Sequence, residues 1–109
     1  MLDVPRAQAP DSPSPPSYAQ CLVMLEGAVG ECLDHPGDEY SRRRALGMAR
    51  AVLDGCKVCG YREDSGILCT VASLLQRPPD AGASAVADLR ERFRGLFRFL
   101  KAQARARSA

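Results

Sequence analysis

The sequence predicts an all-α protein, a small bundle of three or four helices behind a disordered proline-rich leader. Apolar residues recur at three- and four-residue spacing in four separate stretches, and the breaks between them fall at Pro and Gly. The connections are short enough for antiparallel neighbours, and no internal repeat is present. At 109 residues and 46% hydrophobic content the chain suits one modest core.

The leader spans 1–16, which holds five of the eight prolines and shows no apolar periodicity. Ser17 is placed as the N-cap of a first helix over 18–33, whose face is Tyr18, Cys21, Leu22, Leu25, Val29 and Cys32 and whose stop is His35-Pro36-Gly37. Asp38 and Glu39 put negative charge at the start of a second helix with Ala45, Leu46, Ala49, Val52 and Leu53 on its face and Gly55 as its terminator. The pair Cys56-x2-Cys59 follows as a knuckle between helices. Tyr61 to Ser65 reads as a polar connection, with Glu63 and Asp64 in solvent.

A third helix carries Ile67, Leu68, Val71, Leu74 and Leu75 and ends before Pro78-Pro79. After the loop from Asp80 to Ala83, Ser84 is available to cap a fourth helix with the stripe Val86, Leu89, Phe93, Leu96, Phe97 and Leu100. From Ala85 to Arg105 that helix is about 30 Å long at 1.5 Å per residue, so its last turns are expected to project beyond shorter partners. The chain thus divides into the leader, 1–16, and a single helical domain, 17–109, whose basic C-terminal helix occupies 84–107.

The start, Met1-Leu2-Asp3-Val4-Pro5, lacks the basic and apolar segments of a secretory signal, and no apolar run reaches the length of a membrane span. A cytoplasmic or nuclear location follows as an expectation. Five cysteines, an odd number, then argue for reduced thiols rather than a disulfide set. Charge is polarised: from Ser84 onward there are seven basic and two acidic residues, against eight and eleven before it.

Two ligand sets can be drawn for a metal. Cys32 and His35 with Cys56 and Cys59 have the spacing of a zinc finger. A continuous helix over 38–54, however, sets its ends about 24 Å apart, whereas ligands of one zinc lie within about 4 Å of each other. Up-down order instead brings Cys21, Cys56, Cys59 and Cys69 toward one end of the bundle. Four thiolates suit zinc or an iron–sulfur cluster, and spacing does not separate the two. The same cysteines also suit the role of small apolar core residues without a cofactor. A thioredoxin-type redox pair is disfavoured because no strand precedes it.

Arg90, Arg94, Arg98, Lys101 and Arg105 form a basic stripe beside the apolar one. It could follow a phosphate backbone, meet an acidic protein, lie on an anionic membrane with Phe93, Phe97 and Phe99 beneath it, or be a solvated face. Pro15-Pro16-Ser17-Tyr18 matches the PPxY ligand of WW domains, in competition with Ser17 capping the first helix. One histidine, no Ser/His/Asp arrangement and no phosphate-cradling glycine loop argue against catalysis. The expectation is a non-enzymatic regulator or adaptor of viral or phage size, binding nucleic acid or an acidic protein through its last helix. The alternatives are a metal- or redox-responsive cysteine switch, and a module that completes a partner's bundle or associates with itself.

Overall fold

The computed structural model describes residues 16–77 and 82–108, and every regular element among them is an α-helix. They are α1 (Tyr18–Asp34), α2 (Glu39–Cys59), α3 (Arg62–Leu75) and α4 (Ala83–Ser108). The all-α expectation therefore holds. The proline-rich leader, Pro16 excepted, lies outside the described residues.

Local chemistry sets the helix boundaries. The Ser17 hydroxyl accepts the Gln20 N–H at 3.1 Å while the Gln20 side chain accepts the Ser17 N–H at 2.8 Å, a reciprocal capping box. Asp38 caps α2 by accepting the Tyr40 N–H at 3.1 Å. Gly55 does not end α2, which runs one more turn through both cysteines of the knuckle. The stop is Gly60 at φ 78°, a left-handed conformation that glycine adopts without steric cost. There Tyr61 N–H reaches the Cys56 carbonyl at 2.9 Å and Gly60 N–H the Lys57 carbonyl at 3.2 Å, the pairing of a Schellman turn. Tyr61 to Ser65 is likewise not a polar connection, because α3 begins at Arg62 with Tyr61 as its N-cap residue. Ser84 lies within the first turn of α4 rather than before it.

The helices form a ring in which α1 and α3 each pack against both α2 and α4, while the backbones of the diagonal pairs stay apart. Leu22, Leu25 and Val29 of α1, Leu68 and Val71 of α3 and Phe93, Phe97 and Leu100 of α4 fill the centre with Ala45 and Ala49 of α2. Large aromatic residues on one helix are thus complemented by small ones on another, which keeps a single core dense. The last turns of α4 do not project: Ala104 is 4% exposed and Arg107 is bonded to α3. Their cover comes from the start of α3, where Glu63 accepts from Gln103 at 2.8 Å and Asp64 from Arg107. No described helix is long and apolar enough to cross a membrane.

At the end where α3 stops and α2 starts, Arg42 donates to the carbonyls of Leu75 at 2.8 Å and Gln76 at 2.9 Å and pairs with Glu39. These are terminal carbonyls that the helix itself leaves without donors. Arg44 pairs with Glu31 of α1 at 2.9 Å, and Arg90 of α4 pairs with Asp34 of α1.

Candidate functional site

Each helix presents its core residues at alternating three- and four-residue steps. The stripes run Tyr18, Leu22, Leu25, Val29 in α1; Ala45, Ala49, Val52, Cys56 in α2; Asp64, Leu68, Val71, Leu75 in α3; and Phe97, Leu100, Ala104, Arg107 in α4. Antiparallel order brings Tyr18, Cys56, Asp64 and Arg107 to the same end of the ring, where they close the apolar core with a polar layer.

Asp64 is the centre of this layer and is fully buried. Its Oδ2 accepts the Tyr18 hydroxyl at 2.5 Å and Arg107 Nη1 at 2.7 Å, and its Oδ1 accepts Arg107 Nη2 at 2.8 Å. A forked guanidinium satisfies both carboxylate oxygens at once, the arrangement a buried anion needs. The guanidinium also lies 3.8 Å from the centre of the Tyr61 ring, which stands 5.7 Å from the Tyr18 ring. That adds a cation–π contact to the ion pair.

The protonation states follow from these contacts. The bonds from Arg107 hold the Asp64 carboxyl below its usual range despite burial. Burial, reinforced by the bond to Asp64, pushes the Tyr18 phenol well up, and burial raises the Cys56 thiol. At neutral pH the layer is therefore carboxylate, guanidinium, phenol and thiol. It can lock four helices together; it offers no activated nucleophile.

Between α1 and α2, next to this layer, is a pocket of about 290 Å³, open to solvent and lined by Tyr18, Cys21, Val52, Cys56, Cys59 and Tyr61 among others. Three of the four cysteines assigned to a metal set thus share one pocket. Cys69 does not join them. Because α3 starts at Arg62, Cys69 stands about 10 Å along it, and it is exposed, one residue off the core stripe. Cys32 is buried farther along α1, and His35 is exposed as that helix's C-cap residue. Among the described residues no group of three or more His, Cys, Asp or Glu side chains is arranged to hold a metal ion.

The basic stripe is divided. Arg90 pairs with Asp34, Arg94 with Glu91, and Lys101 with Glu26 at 2.8 Å. Arg98 and Arg105 are exposed and have no partner among the described residues. Of the PPxY match, Pro15 lies outside the described residues, Pro16 is exposed, and Tyr18 is the first residue of α1 with its hydroxyl on Asp64. A groove that reads the motif in extended form would have to unwind that first turn.

Asp64, which the sequence places in a solvent-exposed connection, is instead the buried centre of the layer, and Tyr61 and Arg107 join it there. A signal for them exists. Extending the α3 stripe back from Leu68 by four and by seven residues reaches Asp64 and Tyr61, and extending the α4 stripe past Leu100 by the same steps reaches Ala104 and Arg107. Compared with family models, with curated proteins and with solved structures, the chain matches none.

Proposed function

We propose that the protein is a non-enzymatic adaptor that binds an acidic, partly apolar protein segment on the face shared by α1 and the C-terminal half of α4. The observation that carries this reading is the placement of the unpaired Arg105 beside an exposed apolar patch, with the unpaired Arg98 about 10 Å further along the same helix. The Lys101–Glu26 pair fixes the register of the two antiparallel helices. Four residues beyond Lys101 on α4, Arg105 therefore stands level with Leu22 and Val23, three to four residues before Glu26 on α1. Val23 is 60% and Met24 54% exposed, and they line a shallow depression with Pro16, Ala19 and Gln20. A partner bringing an apolar anchor to Val23 and carboxylates to Arg98 and Arg105 would satisfy both features at once.

A nucleic-acid backbone fits less well. Following the whole stripe would require phosphates to displace Asp34, Glu91 and Glu26 from three of its five cations.

Fluorescence anisotropy tests the reading with two labelled probes at low salt, an amphipathic Leu/Glu helical peptide and a DNA duplex. The double variant Arg98→Glu, Arg105→Glu and the variant Val23→Asp are each expected to weaken peptide binding by about tenfold or more. Duplex binding that falls with the arginine reversal and is indifferent to Val23→Asp would make nucleic acid the partner instead. Binding to neither probe would reject the assignment of this face.

A further inference from the structure

We infer that the solvent-open groove between α1 and α2 is the seat of this chain's own leader, residues 1–15, laid along it as a polyproline II segment with its apolar face inward. The leader has no apolar period at helix or strand spacing, but it has one at three residues: Met1, Val4, Ala7, Pro10, Pro13 and Pro16. Three residues make one turn of polyproline II, so in that geometry these positions form a single apolar face. Every charged, amide or hydroxyl side chain from 1 to 16 falls on the other two faces. Pro16, the last member of the stripe and the first described residue, lines the groove itself.

The groove has the lining and the length that such a segment takes. No charged side chain borders it; it is lined by Tyr18 and Tyr61, whose ring centres are 5.7 Å apart, and by small residues that include Cys21, Ala51 and Gly55. Aromatic-lined grooves accept extended proline-rich segments because such segments have little backbone freedom left to lose. The α2 residues that line the groove run from Cys59 back to Ala51, about 12 Å along the helix. At about 3.1 Å per residue, Pro13 reaches about 9 Å from Pro16, within that span, and Pro10 about 19 Å, level with Gly47. An added Cβ at Gly47 would meet nothing within 4 Å, and just beyond it the Arg44–Glu31 pair bridges α1 and α2. Tethered at Pro16, the leader has an effective concentration in roughly the millimolar range, so a weak contact is enough to seat it. The groove shares only Pro16 with the depression proposed for the acidic partner, and neither reading rests on the other.

Cys21 and Cys59 line the groove, and Cys69 is exposed on α3 outside it. Alkylation of the reduced full chain by iodoacetamide, followed at each cysteine by peptide mass spectrometry, therefore reads whether the groove is covered. Two double variants each remove two prolines and add two acids. Pro10→Asp with Pro13→Asp strikes the apolar face, whereas Pro5→Asp with Pro15→Asp strikes the other two. All four positions precede α1, and circular dichroism verifies the helical domain in both variants. The first pair is expected to raise the Cys21 and Cys59 rates relative to Cys69 by about threefold, the protection that a roughly millimolar effective concentration gives at an intrinsic Kd of about 0.5 mM. The second pair should leave them at the parent values. Rates that neither pair changes would overturn the inference, and so would an equal rise with both. A rise on diluting the parent chain would assign the groove to the leader of a second copy instead.

Discussion

At one end of the ring a fully buried carboxylate is shared by Tyr18 of α1 and Arg107 of α4, while at the other end arginines join the helices through partners that face water. The contact types are alike, and their surroundings differ. In solvent a single ion pair contributes roughly 0–1 kcal/mol, because water screens it and the side chains lose freedom to form it. Stripping one partner from a buried pair costs about 3–5 kcal/mol, because the remaining charge has nothing to replace it. Asp64 is fully buried and the Arg107 side chain 30% exposed, so the charge left behind in the core is the carboxylate, and the polar layer does more to align the helices than the opposite end. Arg42 is intermediate: its side chain is 12% exposed and it satisfies helix-terminal carbonyls as well as a carboxylate.

Three substitutions would sharpen or break this contrast. Asp64→Ala should have the largest effect, about 3 kcal/mol in urea unfolding, since it leaves the Tyr18 hydroxyl and the Arg107 guanidinium without their partner. Its cost should also depend on pH. The folded-state pKa of Asp64 lies below its unfolded value near 3.9, so the unfolded chain binds the proton first as pH falls. The stabilisation is complete above about pH 5 and is lost as pH drops through the folded pKa, so parent and variant should converge in acid. A constant difference between them from neutral pH to pH 2 would remove the ion pair as the source.

Arg42→Ala should cost about 1 kcal/mol, from two helix-terminal carbonyls that exchange a guanidinium for water. Arg90→Ala should cost no more than about 0.5 kcal/mol by the same measurement. If Arg90→Ala proved as damaging as Asp64→Ala, burial would not be what distinguishes the two ends.

Much of the scaffold was legible in the sequence because it is written in local signals. Ser17 and Gln20 form a cap within one turn, Asp38 marks the next start, and apolar residues keep the helical period in all four segments. The end of α2 was misread because Gly55 and Gly60 both look like terminators, and only the second adopts a positive φ. The polar layer was misread for a different reason. A carboxylate is normally solvated, and the partners that allow Asp64 to be buried are 46 and 43 residues away in the chain. Likewise, Cys56 and Cys59 are three apart, a spacing that serves a metal knuckle and a helical face equally well. Choosing between them required knowing where α2 stops.

The two-residue link at Gly60 and Tyr61 also bears on the order in which the chain assembles. Closing so short a loop costs little entropy, so α2 and α3 can meet as a hairpin before either finds α1 or α4. The contact of Lys101 with Glu26 closes a loop of 75 residues and the Asp64–Arg107 pair one of 43, contacts suited to a later step. Gly60→Ala, strained at φ 78°, should then slow refolding, whereas Arg107→Ala should chiefly accelerate unfolding, a division that the two arms of a chevron plot separate. On this view one glycine sets the tempo of folding, and the arginine near the end of α4 sets how long the folded chain lasts.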